Sequence, residues 1–443
     1  MITDLTEGKP SKILWSFSIP MLLSVVFQQL YNIVDSIVAG KFVGAQALAA
    51  VGASYPITMI FMAIATGANV GAAVIISQLF GAKNFEKLKT SVFTSIISMT
   101  VLAAILTIFG IVFCSGMLKM LSTPENIFSD SMTYLNIYIG GLIFLFLYNI
   151  CTGVFTAMGD SKTPLYFLIM SSVGNIILDL VFVIVFNMGV AGVGWATFIA
   201  QGISSLLAFA VLLKRVHGIK SGTYKKFSIR MLGHISRIAI PSILQQSFVS
   251  VGNLFIQSRV NSFGSDAVAG SATGLNFEYF TYFTISAFVQ AAVTFTSQNY
   301  GARNFKRCKK IFVYSMISSV VICGLMSAIF VVGRDFFAEI YTTDKAVLEY
   351  ASIRMVHVLL FECLASSYEI GGAALRGLGY SMTPAVLTVL GSCVFRLIWI
   401  YTVFNKFRSF EMLMNVYPVS WIITGIAVLI AYAIVRKKLF KET

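Results

Sequence analysis

The segment SQLFGAKNFEKLK at residues 77–89 returns 220 residues later as SQNYGARNFKRCK at residues 297–309. Seven of the thirteen positions are identical, including a Gly-Ala pair and the Asn-Phe pair that follows it. Both copies come directly after a long apolar stretch and lead into another one. A match of this length at a fixed offset predicts that the chain is a duplication of one structural unit.

Two shorter segments repeat in the same order as the first. The turn GDSKTP at 159–164 returns as GYSMTP at 379–384, again 220 residues later. The tripeptide SIP at 18–20 returns as AIP at 239–241, one residue out of step. Because the three matches share one order and nearly one spacing, we expect both halves to contain the same helices in the same succession.

The composition excludes a water-soluble globule. The 443-residue chain is 57% hydrophobic and only 11% charged, and its mean hydropathy is +0.85. A soluble domain carries about 25% charged residues, so this chain has too little polar surface for its size. Its apolar runs are continuous over roughly 20 residues, as spanning helices require, and they lack the alternation of a membrane β-barrel. The composition therefore predicts an all-α membrane protein.

Apolar runs and polar breaks predict twelve transmembrane helices in two pseudo-symmetric six-helix bundles around a central cavity. These helices are expected at residues 13–40, 46–79, 88–113, 131–156, 163–187, 190–214, 231–262, 267–299, 310–332, 347–375, 383–404 and 412–436. The N-lobe would occupy residues 1–215, a cytoplasmic linker residues 216–230 and the C-lobe residues 231–443. An even number of helices gives both lobes the same orientation, which suits alternating access.

The basic residues predict orientation rather than a nucleic-acid partner. The net charge of +14 comes from lysines and arginines that concentrate in alternate loops. The positive-inside rule then places both termini in the cytoplasm of a multi-pass protein of the inner (plasma) membrane. The six cysteines lack the spacing of a metal or redox site. We expect a monomer in the lipid bilayer that needs no cofactor.

Charged side chains within spanning helices are costly and usually line a cavity. Away from the helix ends, five acidic residues fall inside predicted helices: Asp35, Asp179, Glu278, Glu362 and Glu369. Three basic or titratable residues join them, all in the second half: Arg354, His357 and Arg396.

Asp35 and Asp179 are expected at similar depth in the outer part of the N-lobe, on helices that run in the same direction. Asn175 precedes Asp179 by one helical turn and shares its face. Because no cation is predicted beside them, the two carboxylates must take up a proton or bind a metal ion. Oxygen ligands of this kind also suit Na⁺, with Asp35 and Asp179 as its ligands. H⁺ and Na⁺ both remain open as coupling ions. The alternative is that backbone groups and hydroxyls alone satisfy the two carboxylates.

The acids of the second half come with positive partners. We expect Arg354 and His357 to form a network with Glu362 on one helix, and Arg396 to meet a glutamate across helices. Arginines near Glu362 and Glu369 offer those two acids a structural explanation beside the functional one.

Glu278 lies in the aromatic stretch FEYFTYF at residues 277–283. Aromatic rings such as that of Tyr279, next to a carboxylate, suit an organic cation. The alternative is that the rings pack between helices or face lipid. The candidates for substrate contact or a C-lobe function are therefore Glu278, Tyr279, Glu362, Glu369 and Arg396.

Two prolines sit at matching places in predicted helices 1 and 7. Pro20 and Pro241 each remove a backbone hydrogen bond and favour a kink, so both are candidate hinges, although packed helices also tolerate simple bends. The sequence contains no GxxxxGK loop and no recognisable set of nucleophile, base and orienting residue. We therefore expect neither ATP use nor enzymatic activity.

Over nearly its whole length the chain resembles the multidrug and toxic compound extrusion (MATE) family, and within it the bacterial branch that includes the DNA-damage-inducible and staphylococcal multidrug exporters. The resemblance rests on the repeated SQxxGAxN motif, QQLYNIVDSIVAGKFVGAQALAAVG at 28–52, GDSKTP at 159–164, NIILD at 175–179 and GVAGVGWAT at 189–197. It implies export of cationic amphipathic drugs in exchange for Na⁺ or H⁺.

The resemblance also implies site residues. The family's N-lobe ion site falls on Asp35, Asn175, Asp179 and Thr197, and its bending point on Pro20. Acids on helices 7, 8 and 10 are often proposed for ions or drug in this family, but predicted helix 7 has no acid here. We therefore expect coupling in the N-lobe.

Two other functions compete with drug export. A lipid-linked glycan flippase of the same superfamily would favour a cationic cavity for pyrophosphate, and the first half has no intramembrane cation. A receptor or channel would not require two similar halves with buried acids.

Overall fold

The computed structural model describes residues 3–121 and 123–439, with the backbone alone for Leu30, Asn32, Ile33, Asp35, Ser36, Ala39 and Ala45. Within these ranges the chain forms helices and no β-strand. The first half contains α1 (Pro10–Val38), α2 (Ala45–Gly81), α3 (Phe85–Met120), α4 (Glu125–Gly140), α5 (Leu142–Ala157), α6 (Lys162–Leu180) and α7 (Gly189–Gly218).

The second half repeats this succession with more interruptions. It contains α8 (Ile229–Asn261), α9 (Ser265–Gly301), α10 (Phe305–Val332), α11 (Arg334–Glu339), α12 (Lys345–His357), α13 (Ala365–Gly377), α14 (Met382–Val389), α15 (Phe395–Trp399), α16 (Phe410–Met414) and α17 (Val416–Leu439). Short π-helical segments occupy Ala39–Val43, Val181–Val185, Leu390–Val394 and Ile400–Phe404, and a 3₁₀ segment occupies Leu359–Leu364.

Nine helices of the described part are long and apolar enough to cross a membrane, and the bent pair α4–α5 adds a tenth. The two remaining predicted spans correspond to α9 and to α12–α13. α9 is a continuous helix of 37 residues, whereas α12 and α13 have 13 residues each and are separated by the 3₁₀ segment Leu359–Leu364. All twelve predicted helices therefore have a helical counterpart in the structure.

Many apolar side chains face outward, as expected of helices surrounded by lipid. On α3, Ile108 is 66% exposed and Val112 is 68% exposed, although both are strongly hydrophobic. A soluble protein would hide a patch of this kind, whereas lipid tails cover it at no cost.

The helix predicted at 131–156 is present but is not continuous. The chain bends by 45° between α4 and α5, at Gly141. A Cβ atom at Gly141 would approach the Phe198 ring to 3.2 Å, so glycine allows α7 to pack closely at the bend. The sequence reading took the apolar run as continuous and missed this break.

The backbone repeats at the same offset as the sequence. Lys83 and Arg303 both adopt positive φ angles, of 54° and 56°, immediately before α3 and α10. The side chains of Asn84 and Asn304 then cap these two helices, each accepting a hydrogen bond of 3.2 Å from the backbone N–H three residues on. The duplication therefore extends to the turn geometry and the helix caps.

The described chain divides into two compact units, each with its own hydrophobic core. Unit 1 comprises Met1–Asp4 and Ile19–Ile243, and unit 2 comprises Leu5–Ser18 and Leu244–Thr443. These units differ from the predicted lobes, because the first part of α1 groups with unit 2 and the first part of α8 groups with unit 1. The lobe boundaries at 215 and 231 remain a prediction.

The N-terminal segment is held within unit 2 by the first turn of α10. Arg307 donates hydrogen bonds to the carbonyl oxygens of Leu5 and Gly8, at 3.2 and 2.6 Å, and to that of Glu7. The Leu5 N–H donates to Gln298 Oε1 at 3.1 Å. These bonds satisfy the backbone of a segment that has no regular structure of its own.

Candidate functional site

Asn175 and Asp179 lie on one face of α6, four residues apart, and both are almost fully buried, with 2% and 0% of their surface exposed. Burying a carboxylate in a membrane protein is costly unless it is hydrogen-bonded, paired or protonated. Two polar side chains at adjacent turns of an otherwise apolar helix therefore mark a specific site.

Thr197 on α7 completes the arrangement. The Asn175 amide Nδ2 donates a hydrogen bond of 3.2 Å to Thr197 Oγ1. A Cβ at Gly192, one turn earlier on α7, would meet Phe182 at 3.2 Å, so this glycine lets α7 approach the π-helical segment that follows α6. Three of the four predicted ion-coupling residues thus lie on neighbouring helices, and we call Asn175, Asp179 and Thr197 the polar trio.

The fourth predicted residue, Asp35, has its backbone within α1, but its side chain lies outside the described residues. Whether Asp35 and Asp179 share an ion, or act together as sodium ligands, stays a prediction. The predicted hinge Pro20 lies inside α1 and is buried, and the carbonyl oxygen of Pro20 accepts a hydrogen bond from Ser24 Oγ at 2.9 Å.

The two helices that carry the polar trio have no positive side chain along most of their length. Between residues 163 and 213, the stretch that holds nearly all of α6 and α7, there is no lysine, arginine or histidine. The first basic residues beyond it lie at the helix ends. A carboxylate in this setting can change charge by taking up a mobile cation.

In unit 2, Glu278 is paired with Arg354. Arg354 Nε and Nη2 donate to the two carboxylate oxygens of Glu278 at 2.5 and 2.9 Å, and Arg354 Nη1 donates to Ser271 Oγ at 2.7 Å. Both partners are almost fully buried. The two-pronged geometry satisfies both charges at once. The expected network of Arg354 with His357 is wrong, because the His357 ring is hydrogen-bonded to Asn415 instead.

The other acids of unit 2 are also engaged. Glu362, in the 3₁₀ segment, accepts a hydrogen bond from the Thr281 hydroxyl. Glu369 Oε1 accepts a hydrogen bond from the Tyr282 hydroxyl at 3.1 Å. Tyr279 is 39% exposed and its ring stacks on Phe283 with centroids 5.9 Å apart. The substrate roles predicted for Glu362, Glu369 and Tyr279 therefore remain predictions.

Arg396 is buried on α15 and forms no ion pair with a carboxylate among the described residues, so the predicted pairing with a glutamate is wrong. Its Nη1 donates to Asn253 Oδ1 at 2.7 Å and its Nε donates to Ser420 Oγ at 3.2 Å. The guanidinium also lies over the Tyr417 ring, 4.6 Å from the centroid.

Sequence reasoning missed a buried charge on α13. Arg376 was counted with the loops, but it lies in the last turn of α13 with 8% of its surface exposed. Its Nη1 donates to Gln245 Oε1 at 3.2 Å. The available signal was its position seven residues after Glu369, which places both on one helix face.

A second missed feature is the turn before α6. Asp160 accepts hydrogen bonds from the backbone N–H of Thr163 at 3.0 Å and from its hydroxyl at 2.7 Å, and it pairs with Arg215 from the end of α7. Burial raises the pKa of the Asp160 carboxyl, but the hydrogen bonds from Arg215 and Thr163 outweigh it and hold the pKa below its usual value. The Asp160 carboxylate is therefore ionised at neutral pH, and its hydrogen bonds and ion pair hold the turn before α6 in place.

Known proteins resemble this chain over most of its length. The MatE family model matches the chain twice, over residues 20–181 and 241–402, which are the two repeated halves. The probable multidrug resistance protein YoeA of Bacillus subtilis is 29% identical over 399 residues, covering 87% of this chain and 86% of YoeA. The probable multidrug resistance protein YpnP of the same organism is 31% identical over 305 residues, covering 69% and 68%.

A solved MATE structure, in complex with MaL6, has the same fold. It superimposes with a TM-score of 0.92 at 22% sequence identity, covering 99% of both chains. The predicted all-α fold of twelve helices in two lobes is thereby confirmed.

Proposed function

Because the chain belongs to the MatE family of membrane transporters, we propose that it is an ion-coupled antiporter that exports cationic amphipathic drugs and toxic organic compounds by alternating access. Its curated relatives are named as multidrug resistance proteins, which supports the choice of cargo. We place it in the plasma membrane with both termini in the cytoplasm, on the strength of the basic loops.

The polar trio carries the proposal for coupling. Asp179 is a buried carboxylate whose helix, and the next helix, bring no basic side chain to it. A proton or a metal ion that binds this carboxylate would neutralise its charge. An ion that binds here from outside would favour one conformation of the carrier, and substrate would favour another, as exchange requires.

The prolines supply a candidate hinge for that conformational change. The change of unit along α1 falls between Ser18 and Ile19, next to Pro20, and along α8 it falls between Ile243 and Leu244, close to Pro241. In each helix, the unit to which the residues belong therefore changes near the proline, and the proline removes a backbone hydrogen bond. A helix that bends there can move one part while the other part stays packed.

Unit 2 is less suited to coupling by the same criterion. Glu278 has both oxygens occupied by Arg354, and α8 carries no acid in its membrane part. A carboxylate already neutralised by a fixed guanidinium has little to gain from a mobile cation.

Ethidium export from everted vesicles, with Na⁺ and pH gradients imposed separately, tests the proposal. We expect wild type to respond to one gradient, and Asp179→Asn and Asp35→Asn to lose that response. Export by both variants at the wild-type rate would place the coupling site elsewhere. If wild type moves a lipid-linked sugar and never ethidium, the flippase function replaces drug export.

A further inference from the structure

A short segment without regular structure precedes each of the two helices that change unit along their length. α1 changes from unit 2 to unit 1 after Ser18, and α8 changes from unit 1 to unit 2 after Ile243. The segments before them are residues 5–8, which we call the N-terminal strap, and residues 224–228, which we call the linker strap. The attachment of each strap decides which unit holds the start of the helix that follows it.

The N-terminal strap is fastened within unit 2 by side chains of α9 and α10. The Arg307 guanidinium donates to three carbonyl oxygens of the strap. Asn299 Nδ2 donates to one of these, the Leu5 carbonyl oxygen, at 3.2 Å. The Leu5 side chain is fully buried. Gly8, with a φ of 69°, then turns the chain into α1, in a conformation that favours glycine.

The first turns of α1 continue this attachment. The Trp15 ring meets the Phe288 ring edge to face, with centroids 5.4 Å apart. The Phe17 and Phe295 rings form the same arrangement at 5.5 Å. Such aromatic pairs stabilise packing beyond the area they bury. The strap and the start of α1 are therefore held on α9 and α10 up to a point just before Pro20.

The linker strap is fastened in the same way within unit 1, on α3. The Ser228 N–H donates to the Thr94 hydroxyl at 3.1 Å. The Tyr224 ring stacks on the Phe93 ring with centroids 5.5 Å apart, and the Lys89 ammonium lies 5.1 Å from the centroid of the Tyr224 ring. The start of α8 is thus held by unit 1, as the start of α1 is held by unit 2.

The side chains that hold the N-terminal strap are specific to unit 2. At the offset of 220 residues, Asn299 corresponds to Leu79, which has no donor for a carbonyl oxygen. Arg307 corresponds to Lys87, whose side chain is exposed. The surrounding turn is otherwise closely repeated, so the attachment of the strap is a separate feature of unit 2 and not a by-product of the duplication.

We propose that the two straps anchor the starts of α1 and α8, and that Arg307 is the positioning residue of the first anchor. A helix shared by two units can move with either of them. When its first turns are fastened, the change of conformation must bend it beyond the anchor, where Pro20 or Pro241 lacks a backbone hydrogen bond. The inference rests on the proposed transport function and adds residues outside the polar trio to its machinery.

Arg307→Gln tests the first anchor, and Lys87→Gln, at the equivalent position of unit 1, is the matched control. In purified Arg307→Gln, hydrogen–deuterium exchange of the amides over residues 5–17 should become about tenfold faster or more, the value of a charge-assisted hydrogen bond. Ethidium export from vesicles should slow by a comparable factor. Ethidium affinity should stay within about twofold of wild type, because the strap lies in unit 2 and the polar trio in unit 1. Lys87→Gln should change none of the three.

Thr94→Val tests the second anchor and does not depend on the folding of the first variant. Valine keeps the shape of threonine but removes the hydroxyl that accepts from the Ser228 N–H. Exchange over residues 224–232 should become faster and export slower, again with ethidium affinity retained.

Faster exchange with export at the wild-type rate, or unchanged exchange in both variants, would overturn the inference. Parallel losses of thermal stability, ethidium affinity and export in Arg307→Gln would give this residue a merely structural role and would overturn its positioning role. Failure of the proposed function is recognised separately, because the wild type would then show no gradient-driven ethidium export, and the role of the straps in transport would fall with it.

Discussion

The two units share their turns and helix caps but carry different side chains at matching positions. At the offset of 220 residues, the polar trio of unit 1 corresponds to three aromatic residues in unit 2: Phe395, Trp399 and Tyr417. The buried acids of unit 2 lie elsewhere, on α9, the 3₁₀ segment and α13, and three buried arginines accompany them: Arg354, Arg376 and Arg396. The turns and helix caps repeat in both units although these buried side chains differ.

We infer from this difference that the charges of the two units have different roles. Unit 1 keeps Asp179 on a pair of helices whose basic side chains lie only at the helix ends, and we propose that this acid responds to a mobile ion. Unit 2 binds its charges to one another or to neutral partners, which fixes the positions of its helices. If this comparison is correct, disrupting charges in unit 2 should first affect folding, and disrupting the polar trio should first affect coupling.

The largest expected effect comes from breaking the buried pair in unit 2. Glu278→Gln leaves the Arg354 guanidinium buried without its counter-ion, and such a loss destabilises by about 3–5 kcal/mol. We expect a marked drop in thermal stability in detergent. The double variant Glu278→Gln/Arg354→Gln removes both charges and should recover most of the loss.

The same pair of variants can contradict the comparison. If Glu278→Gln kept its thermal stability but lost ion-driven export, and the double variant did the same, Glu278 would be a coupling acid. The proposed division between the units would then be wrong.

A smaller effect is expected where α2 packs closely against α8 within unit 1. A Cβ at Gly71 of α2 would lie 2.6 Å from Ala239 Cβ and 2.7 Å from the Ile235 carbonyl oxygen on α8. Gly71→Ala should therefore destabilise the protein by about 1–3 kcal/mol, measured as thermal stability in detergent. Gly52→Ala, on the same helix with nothing within 4 Å, is the matched control and should be harmless. An equal response of both variants would mean that helix propensity, and not packing, is being measured.

The smallest effect concerns the ion pair of Asp160 with Arg215 in the turn before α6, which has no equivalent in unit 2 because Tyr380 replaces Asp160. Asp160→Asn should cost roughly 1 kcal/mol at neutral pH. Since the pKa of Asp160 is lowered by folding, its contribution is full above the unfolded value of 3.8 and disappears as pH falls through the folded value. The difference in free energy of unfolding between wild type and Asp160→Asn should therefore shrink in acid. A difference that stayed constant would show that the ionised Asp160 carboxylate does not stabilise the turn.

The sequence predicted the helices well because the membrane imposes a strong requirement on every span. Continuous apolar runs located all twelve, and the repeat of residues 77–89 predicted the shared turns. The bend at Gly141 and the 3₁₀ segment Leu359–Leu364 were missed, because apolar periodicity does not report local helix geometry.

The candidate site was predicted unevenly for a similar reason. Asn175 and Asp179 share one helix face, so their spacing sufficed, and the family resemblance added Thr197. The partners in unit 2 come from distant segments, and the contacts of Arg396 with Asn253 and Ser420 depend on how the helices pack. A list of buried charges does not contain that information.

The most direct test of the central claim is the affinity of purified protein for ethidium, measured across pH and Na⁺ concentration. We predict that the wild-type affinity changes with one of these ions, that Asp179→Asn removes the dependence, and that Glu278→Gln/Arg354→Gln retains it. Retention of the dependence by Asp179→Asn, or its loss in the double variant of unit 2, would contradict the account.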